Sequence, residues 1–329
     1  MFSVVSPLTR LPLTRVPFSY RLPTSSLPGL RFLNGAAPMS SQSSVTPTVP
    51  LESQQPVNQL PRLESDGTSH RWRPMCLYCT QDKCTKMDDP FHLEKFNHDF
   101  AKDVRVNDVD LGSMPPQDMD YFLVLDLEGK VEILEFPVLL IDAKTLDVVD
   151  LFHRFVRPSQ MNEQRINEYI EGKYGRFGVD RVWHDTAISF RDVVDQFESW
   201  LSKHQLWAKE QGGKLDRAAF VTCGNWDVKT KIPQQCRVLK MKLPPYFMEW
   251  INLKDVYLNF YNRTARGMMA MMKQLEIPAF GSHHLGFDDT KNITRVLQRM
   301  LIDGAEMKIT AWRHPKFPDK VHFLFENRI

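Results

Sequence analysis

The acid pair Asp126-Leu127-Glu128 closes the apolar run Tyr121-Phe122-Leu123-Val124-Leu125. Carboxylates two residues apart on a strand point to one face, and at a strand end they offer hard oxygen ligands to a divalent cation. Two further acidic segments follow downstream, Gly224-Asn225-Trp226-Asp227 and His284-Leu285-Gly286-Phe287-Asp288-Asp289. A D-x-E, a later single Asp and a final His with Asp five residues on would together serve two Mg²⁺ ions about 4 Å apart in phosphodiester hydrolysis. Asp126, Glu128, Asp227 and Asp289 would supply the oxygens, with Asp126 bridging both ions. His284 would be the general base, since a neutral imidazole takes a proton near neutral pH. His283 and Asp288 repeat the same spacing, so spacing alone leaves two registers open.

The elements that must bring these residues together are an alternation of strands and helices. Tyr121 to Leu127 reads as a buried central strand. Val131–Ile141 and Val148–Val156 read as two more, joined by a hairpin-like Asp142-Ala143-Lys144-Thr145. Pro137 suggests an edge or a bulge in the first of them. Phe190, Val193, Val194, Phe197 and Leu201 repeat at helical spacing, as do Ile293, Val296, Leu297, Met300 and Leu301 before Gly304. Ala218–Thr222, Met307–Trp312 and Val321–Phe325 complete the strands. The pattern is that of an α/β protein, a mixed sheet with helices on both sides. Trp226 is expected to pack under the sheet, with stacking on a base as the alternative. Glu132 and Glu135 flank the site, one of them readable as an exposed strand residue.

The 329 residues are 42% hydrophobic and 25% charged with a net charge of +2, so overall balance does not announce a nucleic-acid binder. No run of 18 apolar residues occurs, and no membrane span is expected. The first Asp or Glu is Glu52, while Arg10, Arg15, Arg21 and Arg31 sit among Ser, Thr, Pro and Leu. Such a start reads as an organelle transit peptide, favouring chloroplast over mitochondrion, followed by a disordered linker to residue 69.

Of five cysteines, Cys76, Cys79 and Cys84 crowd together ahead of His92 and His98. Zn²⁺ takes four ligands, and Cys76, Cys84, His92 and His98 are the preferred set, with Cys79 a spare or a substitute for one His. A loop-rich extension with incidental thiols is the plain alternative. Arg71, Trp72, Arg73, Lys83 and Lys86 would suit backbone and stacking contacts to single-stranded RNA, or form a solvated basic rim. A polar stretch over residues 101–120 is expected to separate this unit from the main domain.

The segments Asp126-Leu127-Glu128, Glu132-Ile133-Leu134-Glu135-Phe136-Pro137, Val221 through Asp227, Trp250-Ile251-Asn252-Leu253 and His284 through Ile293 resemble the DEDDh exonucleases. Within them the chain is similar to the enhanced-RNAi and histone-mRNA 3′-end exoribonucleases, as a plant, plastid-type member. The resemblance implies an RNase H-like mixed five-stranded sheet flanked by helices. It implies Asp126, Glu128, Asp227 and Asp289 as Mg²⁺ ligands (Mn²⁺ also serving), and it selects His284 as the catalytic histidine. The partner implied is RNA with a single-stranded 3′ end, including rRNA in ribosomal particles if the compartment is an organelle. A catalytically weakened RNA-binding or ribosome-associated adaptor and a DNA 3′-5′ exonuclease are the rival functions. The chain then divides into 1–69, transit peptide and linker; 70–105, a Cys/His zinc-type module; and 118–329, the exonuclease domain. It departs from the family in the short Gly129-Lys130-Val131 loop, which implies an altered terminal-nucleotide pocket and places Lys130 near two carboxylates, to compete with metal or meet phosphate.

Overall fold

The computed structural model describes residues 72–106, 111, 112 and 114–328; the segment read as transit peptide and linker, 1–69, lies outside them. Strands β1 (Tyr121–Leu125), β2 (Glu135–Asp142) and β3 (Val148–Arg157) form an antiparallel meander, and β4 (Ile188–Ser189) adds in parallel to β3. On the other side of β1, β5 (Ala218–Thr222) and β6 (Glu249–Asn252) run parallel to it, followed by antiparallel β7 (Ala311–His314) and β8 (Phe317–Phe323). The order is β4-β3-β2-β1-β5-β6-β7-β8. The five strands implied by the resemblance are the centre, 3-2-1-5-6, extended at both edges.

Nine helices are described: α1 (Leu77–Thr80), α2 (Pro90–Lys95), α3 (Glu163–Tyr174), α4 (Asp180–Thr186), α5 (Phe190–Lys203), α6 (Ile232–Val238), α7 (Leu253–Tyr261), α8 (Met268–Gln274) and α9 (Gly286–Ile302). Side chains of β1 alternate between two cores. Leu123 and Leu125 join Val138, Phe220 and Trp250 under α5, whose Phe190, Val193, Val194, Phe197 and Leu201 fill that layer. Phe122 and Val124 join Leu139, Val221 and Ile251 under α7, α8 and α9, against Val256, Met271, Ile293, Val296 and Leu297. Each such side chain contributes about 1.5–3 kcal/mol on burial. The α5 helix starts where Ser189 Oγ accepts from Asp192 N. Beyond the end of α9, Gly304 takes φ 99, and Ala305 N donates to Met300 O at 2.8 Å. Among the described residues no helix is long and apolar enough to cross a membrane.

Three expectations are corrected by packing. Strand β1 stops at Leu125, because Leu127 N donates to the Asp227 carboxylate rather than to a neighbouring strand. Pro137 sits inside central β2, beyond the last β1 pair Leu125↔Val138, and its missing donor costs no ladder bond there. The described residues of 101–120 pack as a strap rather than a spacer. Val104 is buried and its carbonyl accepts from Gln298 Nε2 at 2.6 Å, Asp103 pairs with Lys291, and Phe100, Met114 and Met119 pack against the α9 side. Met75 and Leu77 share a third core with Leu134, Phe155, Ile170, Trp183 and Phe287, so the Cys/His segment is seated on the β3 end of the sheet.

Candidate active site

Because β1 and β5 are parallel, the chain leaves both at the same edge of the sheet, where side chains can overhang a shared crevice. Asp126 follows β1 directly, and Glu128 pairs with Glu135 through Glu128 N to Glu135 O at 3.3 Å. Asp227 lies in a π-helical turn, Trp226–Lys231, a wide turn that re-aims side chains. Its approach is fixed by Thr222 Oγ1 donating to Gly224 O at 2.6 Å and Trp250 Nε1 donating to Asn225 Oδ1 at 3.0 Å. Asp227 Oδ1 then accepts from Leu127 N at 3.0 Å, between the two residues of the D-x-E. Asp289 comes from the first turn of α9.

Carboxylate oxygens of Asp126, Glu128 and Asp289 all lie within 4.8 Å of one another. The donor set is oxygen only, which suits Mg²⁺. Asp289 Oδ2 accepts from His284 N at 2.7 Å, and His283 Nδ1 lies 3.0 Å from Asp289 Oδ1. Side-chain atoms of His283, His284 and Asp289 are also within 4.8 Å of one another, and the two imidazoles stack at 4.0 Å. Asp288 turns away, its carboxylate accepting from Ser282 N at 2.7 Å. Asp289, not Asp288, is therefore the residue that joins Asp126 and Glu128.

Burial, with like charge added, works against ionisation of this cluster. The Asp126 carboxyl is pushed well above its usual range by burial and then by Asp227, Asp289, Glu128 and Glu135. Burial lifts Glu128 and Asp227 each to about 7 and raises Asp289. The positive charge that meets Glu128 is Lys173 of α3, whose Nζ lies 2.7 Å from Oε2 and 3.2 Å from His284 O. Of the two readings for Lys130, the ion pairs of the described residues include none between it and these carboxylates; it is exposed, and its backbone N–H donates to Tyr169 Oη at 2.9 Å.

Sequence reasoning set Glu135 beside the site but did not give it the role of holding this geometry. Glu135 is fully buried, and Glu132 nearly so, so neither is an exposed strand residue. Glu135 Oε1 accepts from Phe287 N at 2.8 Å and Oε2 from Gly286 N at 3.0 Å, so a carboxylate on β2 caps the start of α9. Tyr174 Oη donates to Oε2 at 3.1 Å, and His153 Nε2 lies 3.2 Å from Oε1. Burial would raise Glu135, but His153 and the two N–H donors outweigh it and hold the carboxyl below its usual value. On His153 the other nitrogen, Nδ1, meets Thr80 Oγ1 of α1 at 2.8 Å. A Cβ on Gly286 would come within 2.9 Å of Asp126 O and 3.1 Å of Glu128 Cγ, so only glycine lets α9 approach this closely. The available signal was a charged residue inside an apolar strand.

The loop from Gly129 to Leu134 is fastened separately. Gly129 has φ 122, and a Cβ there would fall 2.0 Å from Glu132 O. Buried Lys231 donates to Lys130 O and Val131 O, both at 3.0 Å, and Glu132 accepts from Ser159 N, Gln160 N and Gln235 Nε2. Trp226 is 45% exposed, with Lys231 Nζ 5.2 Å from its ring centroid, so it faces outward instead of packing under the sheet.

Cys76, Cys84, His92 and His98 also converge, their ligand atoms within 4.8 Å of one another. Cys84 Sγ lies 3.6 Å from both His92 Nε2 and His98 Nε2, and those nitrogens are 3.2 Å apart. Tetrahedral Zn²⁺ with usual bond lengths separates S from N by about 3.5 Å and N from N by about 3.3 Å. Cys79 stays outside the group and packs against the third core.

Two outcomes follow from this geometry. Glu128 and Asp227 titrate near 7 folded and near 4 unfolded, so the folded protein binds more protons between those values. Metal-free protein accordingly loses stability from these groups as pH rises from about 4 to about 7, and a bound cation reverses the loss. Thermal melts should show Mg²⁺ raising Tm more at about pH 8 than at about pH 6; equal shifts at both would contradict the crowding. Glu135→Gln keeps the shape but removes a charged cap, worth about 1.5–3 kcal/mol. Steady-state kinetics on a 3′-ended RNA should show kcat falling at least 10-fold with KM little changed, and unchanged kcat would deny Glu135 a positioning role.

Comparison with known proteins agrees with this geometry. The RNase_T exonuclease family matches residues 122–297. An exonuclease domain-containing protein of Arabidopsis thaliana is 67% identical over 79% of this chain and 77% of its own length. ERI1 exoribonuclease 3 of Homo sapiens is 31% identical over 60% of this chain, and 3′-5′ exoribonuclease 1 of Homo sapiens is 32% identical over 59%. Those alignments span 59% and 56% of the two human proteins. Among solved structures, a 3′-exonuclease recognising a histone mRNA stem-loop superposes with TM-score 0.54 and 27% identity, covering 64% of this chain and 93% of that one. The nuclease domain of 3′hExo bound to rAMP, a DEDDh family member, superposes with TM-score 0.50 and 30% identity over 58% of this chain and 96% of that one. With the family match covering more than half its length, the chain belongs to the RNase_T exonuclease family, as a homologue of the DEDDh 3′-5′ exoribonucleases.

Proposed function

We propose that this chain is a Mg²⁺-dependent 3′-5′ exoribonuclease that trims single-stranded RNA 3′ ends. The observation that carries the proposal is the convergence of Asp126, Glu128 and Asp289, with Asp227 bonded between the first two, beside His284. Two Mg²⁺ ions, or Mn²⁺, would supply an activated water and neutralise the leaving oxyanion. Asp126, Glu128, Asp227 and Asp289 hold them. Burial and the neighbouring His283 lower the basicity of His284, which keeps its imidazole neutral and able to accept the proton of the attacking water. Lys173 lies where it can leave Glu128 to a cation and turn to a phosphate oxygen.

The Cys76, Cys84, His92 and His98 group takes one structural Zn²⁺ in this proposal, stapling a segment with little core of its own. The acid-free, Arg- and Ser-bearing start supports a chloroplast destination, with mitochondrion as the alternative. Organellar rRNA 3′ ends, within ribosomal particles, are the substrate this destination suggests.

The deciding experiment incubates purified protein with 5′-labelled RNA and Mg²⁺. Stepwise 3′ shortening that Asp126→Ala abolishes and His284→Ala reduces at least 100-fold is expected. Tight binding without shortening would replace the enzyme with an RNA-binding adaptor, and preference for an otherwise identical DNA strand would make it a DNA exonuclease. Metal analysis of the same preparation should find about one Zn per chain, lost on Cys84→Ser.

A further inference from the structure

A cleft of about 670 Å³ lies between the Cys/His segment, the α3–α4 turn and the loop that carries the active-site histidines. The aromatic side chains of Trp72, Phe96 and Phe177 line it, and Trp72 is 44% exposed. Lys83, Lys86 and Arg181 line it as well, all three exposed. Ser282 and Leu285, which bracket His283 and His284 in the chain, form the wall on the active-site side. Asp288 is the sole carboxylate among the described lining residues, and it is occupied by Ser282 N at 2.7 Å. The opposite wall includes Cys84 and His92 of the Cys/His group.

Rings interleaved with cations, with the balance of charge positive, form a surface for a flexible polyanion whose units carry flat faces. We infer that this cleft binds single-stranded RNA a few nucleotides upstream of the terminal one, stacking bases on Trp72 and Phe177 and meeting phosphates with Lys83, Lys86 and Arg181. Its continuity with the His283–His284 loop leads the strand from the cleft to the carboxylates. The Cys/His segment is then a substrate clamp, and it sets the minimum length of RNA that is bound tightly. This inference rests on the exoribonuclease reading and deepens it.

The test compares wild type, Trp72→Ala and the double variant Lys83→Ala/Lys86→Ala, each checked for wild-type zinc content. Two substrates are used, a ribodinucleotide and a single-stranded oligoribonucleotide of about 12 nucleotides. The dinucleotide should be cut with wild-type kcat/KM by every variant. The longer RNA should show a KM raised about 10-fold in each. For the lysine pair, the slope of log affinity against log salt should fall by about 1.4, since each phosphate contact to a single strand contributes about 0.7. Wild-type constants on both substrates would overturn the assignment. If wild type cuts neither, the exoribonuclease reading has failed by itself, and fluorescence anisotropy of the longer RNA with Ca²⁺ in place of Mg²⁺ then decides the cleft. Weaker binding by the variants upholds it and equal binding overturns it. Loss of affinity for a poly-glutamate peptide, with RNA affinity unchanged, would assign the cleft to an acidic protein and sink the proposal.

Discussion

Four carboxylates gathered at one buried edge of a sheet repel one another, and the rest of the structure is arranged to keep them there. Burial and the neighbouring carboxylates push the carboxyl of Asp126 well up, and burial lifts those of Glu128 and Asp227 to about 7. A cluster this crowded is unfavourable as bare anions and becomes favourable around positive charge. Lys173 meets one of the four, and divalent cations are the natural counterpart of the others. A cation bound there would complete the fold at that edge.

Holding the cluster falls to groups outside its four members. Glu135 caps α9 from β2 and so fixes where Asp289 emerges, while Tyr174 and His153 fix Glu135. Gly286 lets the helix start touch the D-x-E backbone, and Gly129 lets the short loop turn without striking Glu132. Through Thr80 the same chain of contacts reaches α1, so the Cys/His segment braces the helix that bears Asp289 and forms a wall of the neighbouring cleft. The Cys/His segment and the carboxylate cluster therefore belong to one continuous body.

Much of this was legible before any coordinates. The run Tyr121–Leu125 is apolar at every position because β1 is buried on both faces, so the acids that follow it stand out. Cys76, Cys84, His92 and His98, the set preferred from the sequence, do converge, and Ala218–Thr222 is the observed β5. The choice between Asp288 and Asp289 was not readable from spacing, since both offsets are equal. Adjacent helix positions point about 100° apart, and the first turn of α9 sends one to the carboxylates and the other to Ser282. Glu135 was ambiguous because a charged strand residue usually marks a solvent face, whereas here a helix start covers it. Residues 101–120 read as a spacer because the few apolar side chains have no period, yet Val104 is buried and Met119 packs against the second core. Trp226 was misplaced because a π-helical turn, invisible in composition, rotates it outward.

The account rests on two cations sharing one nest of acids. Crystals grown with Mn²⁺ and measured for anomalous scattering locate those ions directly. Two peaks about 4 Å apart, both touching Asp126 and flanked by Glu128, Asp227 and Asp289, are the expected result. A single weak peak, or none, with Lys173 still on Glu128, would contradict it.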